Sequence, residues 1–188
     1  MAHLTAEQLE AGLDHIRAAP REAGLLASIV RRPEVGERET VATARLDEAV
    51  GLVGDNWLSR GSRGTPDGSA ATGMQVTVMN VRVAQLVAAG TERMALAGDQ
   101  LYVDLDISVD NLPTGSRLRV GEAVLEVSEI PHLGCAKFVE RFGEEAMRFV
   151  NSRLGRQLRL RGVNTFVVGP GEIRVGDEVT PVRVLVGS

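Results

Sequence analysis

The segment EIPHLGCAKFVERFG, from Glu129 to Gly143, holds the one cysteine of the chain, Cys135. Two residues on sits its one lysine, Lys137; the other 20 of the 21 basic residues are arginine. A thiolate at this position can act as a nucleophile or as a soft metal ligand. Pro131 and Gly134 break the strand that ends at Ile130. From Ala136 the spacing is helical, with Phe138 and Phe142 on one face and Lys137 and Arg141 on another. Cys135 is therefore expected at a strand-to-helix junction, where the helix start and the two cations favour the thiolate. The opposing reading is a small buried hydrophobe, a common fate of free cysteine, with Phe138 and Phe142 covering the sulfur. A zinc site is not supported, because His3, His15 and His132 show no ligand spacing around the single thiol. His132 could pair with Cys135, three residues on, but nothing else in the sequence builds a Cys–His hydrolase.

A second group is NSRLGRQLRLRG, with Arg153, Arg156, Arg159 and Arg161. Read as a strand, QLRLR places Arg159 and Arg161 on one face and Leu158 and Leu160 on the other. That pattern suits the solvated face of a half-buried strand, or a set of guanidinium forks for a phosphate or another oxyanion. GLVGDNW, from Gly51 to Trp57, is a glycine-rich turn carrying Asp55; it lacks the spacing of a P-loop or a dinucleotide fingerprint. DISVDNLPTG, from Asp106 to Gly115, is a polar turn between strands.

The elements that must position these groups are mostly short. Thr5 and Gln8 have capping-box spacing, and Leu9, Leu13 and Ile16 continue a helix that Pro20 closes. Residues 1–23 are thus expected to form a helical extension ahead of a β-rich unit over 24–188. LLASIVRR and VATARLD read as strands, QVTVMN as a strand and VRVAQLVAAG as a short helix. LSRGSRGTPDGSAATG, from Leu58 to Gly73, has little to bury, and its composition favours a disordered or functional loop. LYVDLDIS, RLRV, AVLEVSEI, RQLRLRG, TFVVG and VRVLVG read as short strands around one helical segment, CAKFVERFGEEAMRFVNSRLG. RVGEAV and RVGDEV, with the looser AGDQL, repeat a glycine-acid turn in which glycine takes positive φ and the acid bonds nearby backbone N–H groups. Three such turns among many short strands point to a closed, mainly antiparallel β-barrel with a few helices.

Composition bounds the function. At 188 residues and 44% hydrophobic the chain can bury a sizeable core, built on aliphatics because only 3% is aromatic. The net charge of -4 gives no support for nucleic-acid binding. A lone cysteine makes no internal disulfide, and no secretory signal or membrane-length apolar run is present, so a cytoplasmic protein is expected.

GLVGDNW, then QVTVMN, then LAGDQLYVDLDISVDNLPTGSRLRVGEAVLEVSE, then a lone cysteine, then RVGDEV resemble, in that order, a MOSC domain, the family named for the C-terminal domain of molybdenum cofactor sulfurases. The resemblance runs from about Leu26 to Val184. It implies a barrel-like β fold and a single site cysteine, here Cys135, that ligates molybdenum of the pterin cofactor molybdopterin or handles sulfur for it. It further implies roles for Asp55 in the GL-x-GD element, for Ser108 and Asn111 in the polar turn, and for the basic Lys137 after the cysteine. His132, Arg141, Arg159 and Arg161 complete the candidate set for an anionic pterin. The chain departs from many bacterial members, which carry a proline directly before the cysteine and an arginine two residues earlier; here Gly134 and His132–Leu133 fill that stretch. A histidine-rich segment of some members is replaced by the glycine-serine loop after Arg60. The pyridoxal-phosphate domain of the sulfurases has no counterpart in this length, so pyridoxal phosphate is not expected on this chain alone. The implied roles are reduction of N-hydroxylated compounds or sulfur transfer, with a sulfurase, a molybdoenzyme or an electron-donor protein as partner. A non-catalytic cofactor carrier, or a degenerate barrel with a structural cysteine, are the alternatives.

Overall fold

The computed structural model describes residues 3–62 and 64–183. In chain order the elements are α1 (Ala6–Ala11), α2 (Leu13–Arg17), β1 (Gly24–Arg31), β2 (Glu39–Val41), β3 (Thr43–Asp47), β4 (Gly51–Leu52) and α3 (Trp57–Arg60). There follow a 3-10 turn at Thr72–Met74, β5 (Val76–Asn80), α4 (Val81–Ala88), a second 3-10 turn at Met94–Ala97, β6 (Leu101–Asp104), β7 (Arg117–Val120) and β8 (Ala123–Val127). The described residues end with α5 (Ala136–Asn151), α6 (Arg153–Gln157), β9 (Val163–Gly169), β10 (Gly171–Arg174) and β11 (Glu178–Val182).

Seven strands close a barrel in the order β1, β11, β7, β8, β9, β5, β6 and back to β1. β2 extends it on the β1 edge, and β10, β3 and β4 form a small second sheet. All barrel pairings are antiparallel except β5 with β6. That parallel pair needs a crossover, which α4 supplies. β5 is buried along its whole length because it faces two cores. Val76 and Val78 join Leu26, Leu101, Leu118 and Leu125 inside the barrel. Met79 joins Tyr102, Phe138 and Phe142 in a second core under the helices.

The capping box is present: Thr5 N donates to Gln8 Oε1 at 2.9 Å, and Gln8 N donates to Thr5 Oγ1 at 3.3 Å. The helix it opens is nonetheless two helices, split at Gly12. A Cβ on Gly12 would lie 2.5 Å from the Leu86 side chain of α4, so a bare backbone is what lets the extension press against the barrel's helical layer. Leu9 and Ile16 are buried in the second core. The glycines of the three glycine-acid turns take positive φ: 91° at Gly98, 54° at Gly121 and 95° at Gly176. Asp177 and Glu122 accept backbone N–H groups of β10, at 2.7 and 3.2 Å.

Two strand expectations need correction. RQLRLRG is not a strand: α6 ends at Gln157 and Leu158–Arg161 is a turn, with Arg159 at φ 50°. Leu160 is buried, as the alternation required, but so is Arg161, which the alternation had placed on the opposite face, toward solvent or an anion. β10 was not anticipated. The expected strand VRVLVG overlaps β11 only at Val182, and residues 184–188 lie outside the described range. In the loop after Arg60, Ser62 N donates to the carbonyls of Gly68 and Ser69, and Thr65 Oγ1 donates to those of Ser62 and Ser69. Arg63 lies outside the described residues. Among the described residues no helix is long and apolar enough to cross a membrane.

Candidate functional site

Cys135 occupies the N-cap of α5, is exposed, and makes no side-chain cap bond. Lys137 is exposed beside it. The chain reaches this point through Ile130–Gly134, anchored at both ends: Asn164 Nδ2 donates to the Ile130 carbonyl at 3.1 Å, and Gly134 N donates to Asn151 Oδ1 at 2.9 Å. The exposure contradicts the buried-hydrophobe reading of this cysteine. Phe138 and Phe142 instead pack edge to face in the second core, centroids 4.9 Å apart.

The next turns of α5 lead to a concentration of positive charge around Leu96–Asp99, the exit of the second 3-10 turn. Arg141 Nη1 donates to the Leu96 carbonyl at 2.7 Å, Arg161 Nη2 to Ala97 O at 2.9 Å and Arg32 Nη1 to Gly98 O at 3.1 Å. Carbonyls at the end of a helical turn are natural partners for cations. Arg38 also reaches Gly98, where an added Cβ would lie 3.7 Å from its Nη2 and 3.6 Å from Arg141 Nη1. Burial, then the neighbouring Arg141 and Arg32, push the Arg38 guanidinium below its usual value. Burial and Arg32 do the same at Arg60.

Two buried carboxylates answer these five cations. Asp55, with a side chain 0% exposed, binds Arg32, itself 8% exposed, in a fork: Oδ2 accepts Nε at 2.8 Å and Oδ1 accepts Nη2 at 2.8 Å. It also accepts the backbone N–H groups of Arg32 and Trp57, both at 3.0 Å. The Gly51–Trp57 turn therefore spends its carboxylate on holding an arginine. Asp99, also 0% exposed, takes Arg161 Nη1 on Oδ2 at 2.6 Å, and the Arg161 guanidinium lies over the Phe138 ring, 5.1 Å from its centroid. Arg38, Arg60 and Arg141 have no carboxylate partner among the described residues, and Arg38 Nε and Arg161 Nε are buried without any hydrogen bond.

His132 faces the other oxygen of Asp99, Nδ1 to Oδ1 at 3.4 Å, with its side chain 13% exposed. Burial, reinforced by Arg161 and Arg32, drives this imidazole well below the usual range, so it is neutral. Burial also raises Asp99, with Arg161 opposing. The unfolded imidazole takes up a proton near pH 6.5, and the folded one refuses it until far lower. Stability supplied by the neutral form is complete above pH 6.5 and is lost as pH falls, by up to about 1.4 kcal/mol per pH unit. The Asp99 shift has the opposite sign, since a raised carboxyl binds its proton more readily when folded, and it offsets part of the loss toward lower pH. Urea midpoints measured between pH 6.5 and 5.5 are expected to fall for the wild type and to stay flat for His132→Gln. Parallel curves would show that His132 does not carry the dependence.

The remaining candidates are divided. His132, Arg159 and Arg161 line one cavity of about 250 Å³. Ser108 lies elsewhere, on a cavity of about 240 Å³ with Arg17, Arg21, Asp106 and Asp110. Asn111 is a brace: Nδ2 donates to the carbonyls of Arg21 and Asp106, and Oδ1 accepts Arg183 Nη2 at 2.7 Å. Arg32, Arg38, Arg60 and Asp99 were missed. Their sequence signals are an arginine pair at a strand end and an ordinary turn acid, and neither shows that they converge. Among the described residues no three His, Cys, Asp or Glu side chains gather as a metal cage.

The fold has solved relatives. The YUAD protein from Bacillus subtilis superposes with a TM-score of 0.63 at 15% identity, over 84% of this chain and 94% of that one. YiiM from Escherichia coli gives 0.54 at 19% identity, over 87% and 72%. YiiM from Geobacillus stearothermophilus gives 0.56 at 15%, over 87% and 77%. At these identities the likeness is one of fold. No curated protein matches the sequence significantly. The MOSC domain, a family associated with molybdenum cofactor binding, matches residues 75–180, which run from the start of β5 nearly to the end of β11. That span carries most of the barrel, the Leu96–Asp99 turn and Cys135, and it covers more than half of the chain, which belongs to the MOSC domain family.

Proposed function

We propose that the protein binds a molybdenum cofactor, with Cys135 as the single protein ligand to the metal and the arginines around Leu96–Asp99 as the holders of its anionic end. The observation that carries this reading is the surplus of guanidinium groups there. Five cations meet two carboxylates in a partly buried volume, and Arg38 and Arg60 are desolvated with no carboxylate bonded to either among the described residues. Such a group gains most from a multiply charged oxyanion, which the guanidinium fork matches. The donor set agrees. One thiol cannot cage a bare ion, whereas a pterin-borne molybdenum brings its own sulfur donors and leaves room for one more.

When bound, the cofactor supplies two-electron redox chemistry and atom transfer, which suits reduction of N-hydroxylated compounds or sulfur transfer. Arg38, Arg60 and Arg141 bind and orient the anion. Asp55 fixes Arg32, and Asp99 fixes Arg161, so these two arginines add field but few free donors. The exposure of Cys135 favours a second reading, a carrier that hands the cofactor to a molybdoenzyme, because a transferable ligand must be reachable by a partner.

Molybdenum content after expression in a cofactor-competent host tests the reading. The wild type is expected to retain the metal. Cys135→Ser is expected to lose about tenfold or more, and Arg38→Gln several-fold with its melting temperature unchanged. Equal molybdenum in the wild type and Cys135→Ser would sink the proposal.

A further inference from the structure

We propose that the cavity behind residues 128–133 binds a small organic monoanion, a carboxylate on a compact apolar body, with Arg159 and Arg156 as the groups that hold the charge. This site shares only Arg161 with the arginines around Leu96–Asp99, and it stands independently of the cofactor reading.

Arg159 is the first observation. It is one of two non-glycine residues with positive φ among the described residues, at 50°. A side chain in that region costs about 1 kcal/mol or more and persists only where the surroundings enforce it. Here they do. Leu160 N donates to Gly155 O at 2.8 Å, Gly162 N donates to Arg159 O at 2.8 Å, and Leu160 is buried in the second core. The reversal aims the Arg159 guanidinium along the cavity wall. Its Nη1 donates to the Leu112 carbonyl, its one hydrogen bond among the described residues, and no carboxylate pairs with it there. Burial lowers its pKa, with no counter-charge to oppose the shift. A guanidinium has five N–H donors, so this half-buried cation is left largely unmatched.

The cavity supplies the rest. Its volume is about 250 Å³, and Val109, Ile130, Leu133, Val150 and Val163 form an apolar wall. An apolar cavity of roughly 150 Å³ accepts benzene, so this one has room for an aromatic ring plus a carboxylate. The charges select the valence. Arg156 and Arg159 contribute two positive charges, and Glu129 contributes one negative charge. Arg161 is neutralised by Asp99, and His132 is uncharged. The balance is one positive charge, which a carboxylate cancels and a phosphate dianion exceeds. Arg156, exposed at the rim and bonded through Nε to Asn151 O at 3.0 Å, has no partner for its terminal nitrogens among the described residues, which leaves them to close over the ligand.

Isothermal titration of the purified chain at pH 7.5 tests the site with benzoate, phenyl phosphate and benzyl alcohol. Benzoate is expected to bind saturably, with benzyl alcohol about tenfold weaker and phenyl phosphate weaker than benzoate. Arg159→Gln is expected to weaken benzoate about tenfold. Arg156→Gln, at an exposed position, should weaken it several-fold at an unchanged melting temperature. Arg174→Gln, on the surface of β10, should leave it as in the wild type. No saturable benzoate binding would overturn the proposal, as would equal affinity for benzyl alcohol or tighter binding of phenyl phosphate. Benzoate affinity unmoved by either cavity arginine would do the same. Because the probes carry neither metal nor pterin, a chain that binds benzoate but retains no molybdenum would refute the cofactor reading alone.

Discussion

Asp55→Ala is expected to lower the unfolding free energy by about 3–5 kcal/mol, the largest loss from any single side chain of the site. The reason is what the substitution leaves behind. Arg32 is 8% exposed and holds its charge against Asp55 through three hydrogen bonds, two from the side chain and one from its backbone. Without the carboxylate that charge stays buried beside Arg38 and Arg60, whose like charges already press on it. The Trp57 N–H loses its acceptor too. The Gly98 carbonyl remains as a partner, but a neutral acceptor does not replace an ionised one. Urea denaturation should show a much lower midpoint with the slope unchanged. A loss below about 1 kcal/mol would mean that water or an anion reaches Arg32 readily.

Gly162→Ala is the second large effect, at roughly 2–4 kcal/mol, from two separable causes. Gly162 has φ 97°, a conformation side chains avoid, and a Cβ there would lie 2.5 Å from the Val78 carbonyl oxygen. That oxygen is backbone in β5, held in the sheet, and cannot swing aside. Gly36 is the internal control, with φ 95° and nothing within 4 Å of its added Cβ. Gly36→Ala carries the backbone strain alone, so the difference between the two variants isolates the collision. Equal losses would show that β5 yields at Val78. A large difference would show that the Arg159–Gly162 turn, and the cavity it walls, is clamped to the barrel.

The barrel and the helix around Cys135 were legible in the sequence, while most of the charged site was not. The clearest contrast is within QLRLR. Leu–Arg alternation over four residues fits a strand, yet the chain makes a turn there. Leu160 still enters the core, but Arg161 follows it inward because Asp99, 62 residues earlier, waits at 2.6 Å. Four residues of period-2 pattern cannot exclude that outcome. Asn111, Ser108 and Asp55 were site candidates by motif position; the structure shows Asn111 and Asp55 as braces, work that motif position alone does not specify.

What the sequence determined by itself are features whose causes lie within a few residues. These are the Thr5–Gln8 capping box, the positive φ of Gly98, Gly121 and Gly176, the QVTVMN strand running into α4, and Cys135 at the start of a helix. Each rests on a local hydrogen bond or a local steric rule. Only the tertiary structure decided that β11 returns to close on β1, that Arg32 meets Asp55, and that Arg32, Arg38, Arg141 and Arg161 converge on one turn. Desolvation is the physical reason. A buried charge must find an opposite charge or a carbonyl wherever the fold brings one, and sequence separation carries no weight in that choice.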